Sequence, residues 1–149
     1  MTADPNAARR RWMAVLARAS AAELEDRLAG LPPPPRHLRL RGPETGLVMV
    51  RGRAGGDGAP FNLGEMTVTR CAVRLPDGRV GHAYVAGRDA RQAELAALVD
   101  ALMLDEAARP QVEAVVIAPL AATQREAREV EAQKAAATRV QFFAMAHMR

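Results

Sequence analysis

A short stretch rich in arginine and glycine carries the residue types of a phosphate-binding loop. It has the sequence RGRAGGDG from residue 51 to residue 58. Guanidiniums and uncovered backbone amides are groups that bind phosphate oxygens well. The stretch lacks the Gly-Lys-Ser or Gly-Lys-Thr ending of a Walker loop, and a solvated hairpin loop is the commoner meaning of such glycines. The residues of this candidate anion-binding site are Arg51, Arg53, Gly55, Gly56 and Gly58.

The histidines and the cysteine do not form a pattern typical of metal binding or nucleophilic catalysis. His37, His82 and His147 are far apart in the sequence, and no two of them have the spacing of metal ligands on a helix. His82 lies in a predicted strand, where a packed or surface histidine is the commoner role. Cys71 is the only cysteine, which excludes an internal disulfide, a cysteine-based zinc site and the three-cysteine cluster motif of radical enzymes.

The end of the chain is more apolar than an exposed terminus usually is. Large apolar side chains recur between residues 142 and 148, after a stretch that has almost none. Such a patch suggests packing onto another chain, and docking into the core of the same domain is the alternative. The residues of this candidate subunit interface are Phe142, Phe143, Met145 and Met148.

The composition is that of a folded protein with a surplus of arginine. Of the 149 residues, 49% are hydrophobic and 26% are charged, which argues against a disordered chain. The formal charge is +4, and although codon bias explains much of the arginine, the first 60 residues hold ten basic and six acidic side chains. That part of the chain is the candidate for contact with anions. Aromatic residues make up only 3%, which weakens any role that needs several of them to stack on single-stranded RNA.

Nothing in the sequence predicts membrane insertion or export. It has no run of 18 apolar residues, and its start carries Asp4 and three successive arginines where a signal peptide has an apolar core. We therefore expect a cytoplasmic protein.

The first 35 residues predict two helices. Asp4 followed by Pro5 is typical of a helix start, and apolar residues follow at helical spacing. Ser20 and Glu23 form a capping box that begins a second helix. The prolines at 32–35 cannot continue that helix and predict a stiff connector.

A period of two then predicts an antiparallel sheet of about four strands between residues 37 and 86. The strongest hairpin signal is a Pro-Asp-Gly turn at residues 76–78. In the third strand the apolar residues change from even to odd positions, so we expect a β-bulge near Arg70. The predicted strands are residues 38–41, 47–51, 67–75 and 80–85.

Helices complete the predicted domain. Asp89 and Gln92 are placed to cap a helix with a strong apolar stripe. Residues 112–120 are ambiguous, because their β-branched residues favour a strand and a preceding proline suits a helix start, and we favour a fifth, edge strand. Residues 121–146 predict a helix. The fold class is therefore α+β, with two N-terminal helices, an antiparallel sheet of about four strands and C-terminal helices, in one domain over residues 1–149.

Five long blocks of sequence are more specific than any of these motifs. They are RRRWMAVLA (9–17), ETGLVMVRGRAGG (44–56), PFNLGEMTVTRCAVRL (60–75), YVAGRDARQAELAALVDAL (84–102) and TRVQFFAM (138–145). In this order they closely resemble the PhnG family, the G subunit of the bacterial carbon-phosphorus lyase system. The resemblance covers nearly the whole chain and is weakest in the proline run and at residues 105–111.

The resemblance implies a subunit of the machinery that lets bacteria use phosphonates as a phosphorus source. Family members assemble with the H, I and J subunits into a core complex, which displaces adenine from ATP with an alkylphosphonate to give a ribose 1-phosphonate 5-triphosphate. The I subunit is regarded as the nucleosidase and the J subunit as the later radical enzyme. No catalytic residue is carried over to this chain. No cofactor is expected on this chain alone, because ATP and the alkylphosphonate are substrates of the complex.

Two other functions stay open on the residues alone. A basic nucleic-acid-binding module is favoured by the arginine surplus and opposed by the few aromatics and the absence of a recognition motif. A steep dependence of duplex affinity on salt would support it. An enzyme that acts alone is the other possibility, and turnover by the isolated chain would support that.

Overall fold

The computed structural model describes residues 6–54 and 58–139 and has the predicted α+β architecture. Helices come first, an antiparallel sheet follows, and further helices complete the described chain. The elements are α1 Ala7–Leu16, α2 Ala21–Leu28, β1 Leu38–Gly52, β2 Phe61–Arg74, β3 Val80–Ala86, α3 Ala90–Met103, α4 Arg109–Val112, a π-helical segment Glu113–Ile117, and α5 Ala118–Ala137.

The capping box predicted for the second helix is confirmed. Ser20 Oγ accepts a hydrogen bond of 3.2 Å from the backbone N–H of Glu23, and Glu23 Oε2 accepts one of 2.8 Å from the backbone N–H of Ser20. These bonds favour the ionised carboxylate and lower the pKa of Glu23. The predicted start of the first helix at Asp4 and Pro5 lies outside the described residues, and α1 is described from Ala7.

The sheet has the strand order β1-β2-β3, one strand fewer than the four predicted between residues 37 and 86. The two short runs predicted at residues 38–41 and 47–51 belong to one long strand, β1. Gly42 and Pro43 lie inside this strand, where a break was expected. β1 pairs only with β2, so it is an edge strand, and an edge strand tolerates a proline that lacks the backbone donor.

The predicted β-bulge within β2 near Arg70 is wrong, because in this part of the sheet the irregularity is in the neighbouring strand. β2 pairs with β3 without interruption along their shared length. Opposite β2, the register of β1 shifts between Arg39 and Arg41 and again between Arg41 and Glu44. An additional residue in an edge strand disrupts one ladder rather than two. Met66 and Val68 suggested the change of face. Met66 is 40% exposed, and Val68 is buried but lies outside the main hydrophobic cluster.

Helix α3 lies at the centre of the described chain and packs on one face of the sheet. Asp89 Oδ1 accepts a hydrogen bond of 2.9 Å from the backbone N–H of Gln92, as their capping positions predicted. Gly81 in β3 allows the helix to approach closely, since a Cβ there would overlap with the carbonyl oxygen of Ala97. The largest fully buried side chains are Leu16, Leu24, Thr69, Val73, Leu75, Val85, Val99, Asp100, Met103, Val116 and Ile117.

The strand predicted over residues 112–120 is wrong, because this segment is helical from the end of α4 into α5. Its buried residues are Val112, Val116, Ile117 and Leu120. This spacing places them on one side of a helix, and their burial outweighs the strand preference of β-branched residues. The π-helical segment directly precedes the first turn of α5, which contains Pro119. A wider turn relieves the clash between a proline ring and the preceding backbone.

Two elements project beyond the core. β3 pairs with β2 only as far as Val68, so residues 47–52 and 61–67 continue as a two-stranded ribbon, which we name the arm. The helix predicted from residue 121 is confirmed over the part that α5 covers, and after Leu120 this helix is largely exposed.

Candidate functional site

The candidate anion-binding residues lie at the tip of the arm. Arg51 is near the end of β1 and Arg53 follows that strand, and both are exposed. Among residues 6–54 and 58–139, no carboxylate lies within ion-pair distance of either guanidinium. Gly58 packs closely within the loop, because a Cβ there would lie 3.2 Å from a backbone carbonyl oxygen. Gly55 and Gly56 lie outside the described residues, so anion binding at this loop stays a prediction.

The residues predicted as a subunit interface also lie outside the described part of the chain. They are Phe142, Phe143, Met145 and Met148. Docking of this tail on another chain therefore stays a prediction as well.

A buried carboxylate on α3, which the sequence patterns did not single out, connects three elements. Asp100 is 0% exposed. Its Oδ1 accepts hydrogen bonds from Trp12 Nε1 at 2.8 Å and from Arg9 Nε at 3.2 Å. Its Oδ2 accepts hydrogen bonds from Arg9 Nη2 at 2.6 Å and from the backbone N–H of His82 at 2.8 Å. The carboxylate thereby holds α1, α3 and β3 together.

This arrangement gives Asp100 a structural role. A carboxylate can be buried without a large penalty only when a countercharge and hydrogen-bond donors surround it, and Asp100 has both. Because both oxygens are occupied by the protein itself, Asp100 is not free to accept a substrate proton. The side chain of His82 is exposed, which agrees with the prediction of a packed or surface histidine.

A second buried carboxylate lies nearly two turns earlier in α3. Glu94 is 7% exposed. Its Oε1 accepts a hydrogen bond of 2.9 Å from Arg39 Nε and is joined to His37 Nε2 at 2.8 Å, while its Oε2 accepts a hydrogen bond of 2.7 Å from Arg39 Nη2. The Arg39 guanidinium outweighs burial and, with a smaller contribution from His37, lowers the pKa of Glu94 to about 2. Glu94 is therefore ionised at neutral pH.

A cavity of about 410 Å³ opens beside Glu94, between α2, the proline connector and α3. Its polar groups are paired with each other, Glu94 with His37 and Glu25 with Arg91, whose Nε donates a hydrogen bond of 2.7 Å. The other lining residues are Leu28, Ala29, Leu31, Pro33, Pro34, Leu95 and Leu98. A lining of this kind suits an apolar group better than a triphosphate.

The remaining candidate residues from the sequence do not form a catalytic or metal-binding group within the described residues. Cys71 is buried, its Sγ donates a weak hydrogen bond of 3.4 Å to the carbonyl oxygen of Arg41, and burial raises the pKa of the thiol. Within residues 6–54 and 58–139, no three side chains of His, Cys, Asp or Glu are grouped so that they could hold a metal ion. His147 lies outside these residues. In the same part of the chain, no helix is both long and apolar enough to cross a bilayer.

Comparison of the sequence with known protein families gives the class to which this chain belongs. Residues 7–147 match the family model described as "Phosphonate metabolism protein PhnG". This class is a group of proteins of phosphonate metabolism, and the match extends over both buried carboxylates and the arm.

A curated relative gives a closer comparison. The protein named alpha-D-ribose 1-methylphosphonate 5-triphosphate synthase subunit PhnG, from Rhizobium meliloti (strain 1021), is 49% identical over 139 residues. The alignment covers 93% of this chain and 88% of that relative. The chain belongs to the PhnG family, and the resemblance predicted from the five blocks is confirmed.

Proposed function

We propose that this chain is the G subunit of a carbon-phosphorus lyase core complex in phosphonate catabolism. In the proposed reaction, an oxygen of the alkylphosphonate attacks the ribose C1′ of ATP, the bond from C1′ to the adenine nitrogen breaks, and adenine leaves. The product is a ribose 1-phosphonate 5-triphosphate. The observation that carries this proposal is the 49% identity, over 93% of the chain, to a protein named as a subunit of that synthase.

The proposed partners are the H, I and J subunits of the same complex, in the cytoplasm. ATP and the alkylphosphonate are substrates of the assembly, and this chain binds no cofactor by itself. The proposed role of the chain is to build the complex and to shape the passage of its substrates.

The two buried carboxylates support a structural role over an acid–base role. Asp100 and Glu94 each accept hydrogen bonds from an arginine and from a further donor on another element. Groups that are saturated in this way stabilise the packing of α3 and do not exchange protons readily with a substrate.

We further propose that the loop at the tip of the arm attracts the triphosphate. Arg51 and Arg53 are exposed, and no described carboxylate is near enough to neutralise them. Backbone amides of Gly55, Gly56 and Gly58 would add uncharged donors, as in other anion-binding loops. In that case the arm forms one wall of the substrate passage.

The alternative of a nucleic-acid-binding module loses support, because several arginines of the domain are paired with its own carboxylates. Phosphate contacts require guanidiniums that are free to face the duplex. Among the described residues, the ion pairs of arginine include Arg9–Asp100, Arg11–Glu113, Arg39–Glu94, Arg41–Glu44, Arg70–Glu44, Arg79–Asp77, Arg79–Asp105 and Arg91–Glu25.

Co-expression of the tagged chain with the H, I and J subunits tests the proposed function. We expect the subunits to purify together and to convert ATP and methylphosphonate into adenine and the ribose 1-phosphonate 5-triphosphate. A preparation of H, I and J without this chain is the matched control and should be less active. Adenine release by the isolated chain above background, or full activity of the preparation that lacks it, would contradict the proposal.

A further inference from the structure

Both faces of the arm carry exposed large apolar side chains, although the charged Glu65 lies opposite Met49. Along β1, Leu47 and Met49 alternate with Val48 and Val50, so these pairs of side chains lie on opposite faces. Leu47 is 62% exposed and Met49 is 53% exposed. On the other face Val48 pairs with Met66 of β2, which is 40% exposed. Both faces of the isolated chain therefore place large apolar side chains in water.

A two-stranded ribbon with exposed apolar side chains is unfavourable in water. Two-stranded ribbons are marginally stable by themselves, and an uncharged edge strand readily pairs with other chains. Residues 45–50 of β1, TGLVMV, lie at the edge of the sheet and contain neither a charge nor a proline. The first part of β1 differs, because Arg39, Arg41, Pro43 and two register shifts protect its edge. The unprotected part is the part that projects.

Helix α5 also projects from the core but has a polar surface, so the apolar side chains of the arm are not a general feature of projecting elements in this chain. This helix is also largely exposed after Leu120, but residues 125–134 have the sequence REAREVEAQK, with Val130 as the one large apolar side chain in that run. A helix with polar residues on all sides is compatible with water when its charges form pairs along the helix. The arm has fewer charges, with Glu65 opposite Met49 and Arg51 near the tip, so its exposed apolar side chains are suited to a partner.

We propose that the arm inserts into an apolar cleft of another subunit of the synthase. This inference rests on the proposed function, which supplies such a partner. A cleft covers both faces of the arm, whereas a flat contact, or edge pairing with a second copy of this chain, leaves at least one face in water. Arg51 and Arg53 bring positive charge to the tip of the arm, so the inner end of the cleft is anionic. With the loop acting as proposed above, the bound triphosphate supplies that negative charge, and carboxylates of the partner are not required.

The test changes the two faces of the arm separately in the tagged full chain, co-expressed with H, I and J. Leu47→Ser with Met49→Ser alters one face, Val48→Ser with Met66→Ser alters the other, and Val130→Ser on α5 is the matched control. We expect each arm variant to weaken assembly by at least about tenfold and the control to assemble as the wild type does. Circular dichroism and thermal unfolding establish that each variant is folded.

The possible outcomes separate this inference from the proposed function. If the wild-type chain does not purify with H, I and J, both proposals fail. If the wild type assembles and both folded arm variants assemble equally well, the arm is not the contact and only this inference fails. If only one of the two double variants weakens assembly, the arm makes a flat contact through that face, and the proposed cleft is wrong. A dimer of the isolated chain that both arm variants dissociate would identify a second copy as the occupant, and would also overturn the inference.

Discussion

Trp12 on α1 and Asp100 on α3 are 88 residues apart in the sequence and meet in the core, where indole Nε1 donates a hydrogen bond of 2.8 Å to carboxylate Oδ1. Trp12 is 3% exposed and Asp100 is 0% exposed, so neither group has water as an alternative partner. Arg9 lies three residues before Trp12, on the same side of α1, and binds the same carboxylate. The central helix is thereby joined to the first helix of the chain by charged and neutral hydrogen bonds.

Removing this carboxylate should destabilise the fold more than removing the indole donor. Asp100→Ala leaves Arg9 and Trp12 without their acceptor, and we expect the free energy of unfolding to fall by about 3–5 kcal/mol. Trp12→Phe removes one donor and should cost about 1–3 kcal/mol. Urea titrations measure both, with Glu126→Ala on the exposed part of α5 as the control. An effect of Asp100→Ala no larger than that of the control would refute the structural role.

The Glu94–Arg39 ion pair predicts a loss of stability in acid. The pKa of Glu94 is lowered from its ordinary value of 4.5 to about 2, so the stabilisation is fully present above pH 4.5 and is lost as the pH falls towards 2. Arg39 is 58% exposed and screened by solvent, so we expect a loss of about 2 kcal/mol over that range. Glu94→Gln should flatten the acid limb of stability against pH, and Glu126→Gln should leave it unchanged. Superimposable acid limbs for the wild type and Glu94→Gln would contradict this assignment.

Gly81 should not tolerate a side chain. A Cβ at this position would overlap with the carbonyl oxygen of Ala97 and would lie 2.5 Å from the backbone nitrogen of Ala101. Because backbone atoms of a packed helix cannot move aside as a side chain can, we expect Gly81→Ala to destabilise the chain by about 3 kcal/mol. The matched control is Gly64→Ala in β2, where nothing lies within 4 Å of the added methyl group. Equal melting temperatures for the two variants would show that β3 and α3 are not packed so closely.

The arginines at the tip of the arm should affect the use of ATP by the complex. If they bind the triphosphate, Arg51→Ala with Arg53→Ala raises the Michaelis constant for ATP by about tenfold or more and leaves the complex assembled. Arg125→Ala with Arg128→Ala on α5 is the control for the loss of two positive charges. Unchanged ATP kinetics in an intact complex would remove the anion-binding role, and dissociation would place the loop at a subunit interface.

The C-terminal tail should contribute to assembly. Phe142→Ala with Phe143→Ala removes two large apolar side chains, each worth roughly 1.5–3 kcal/mol when buried against a partner. Methionines such as Met145 and Met148 suit adaptable contacts of the same kind. Titration of the tagged chain against its partner subunits should therefore show clearly weaker binding. A folded double variant that assembles with wild-type affinity would exclude this role for the tail.

Local sequence patterns predicted the structure correctly where a side chain forms a hydrogen bond with backbone only a few residues away. The capping box of Ser20 and Glu23 and the cap of α3 at Asp89 are present as predicted. The tight turn after β2 is also present, with Gly78 at a φ of +93° and its N–H bonded to the carbonyl oxygen of Leu75 at 3.0 Å. Such interactions depend on the residue types within one turn of chain, and the sequence contains all of that information.

Residues 112–120 and β1 show where local preference was insufficient. The β-branched residues of the first segment favour a strand when taken alone. The segment packs against other helices of the core, however, and a helix buries positions 112, 116, 117 and 120 together on one side. In β1, the sequence predicted two separate runs at 38–41 and 47–51, but pairing with β2 continues the strand through Gly42 and Pro43. Both outcomes depend on a neighbour that is distant in sequence.

The amino-acid sequence by itself determined the family, the α+β class, the capped helices and the Arg- and Gly-rich composition of the loop at 51–58. Only the tertiary structure decided that Asp100 and Glu94 are buried carboxylates saturated by Arg9 and Arg39, since their partners lie 91 and 55 residues away. It also decided that the apolar residues alternating along β1 lie in an arm with two exposed faces. β3 pairs with β2 only as far as Val68, so the sheet has two strands beyond that point. Contacts between distant residues come from the packing of whole elements, which no short window of sequence contains.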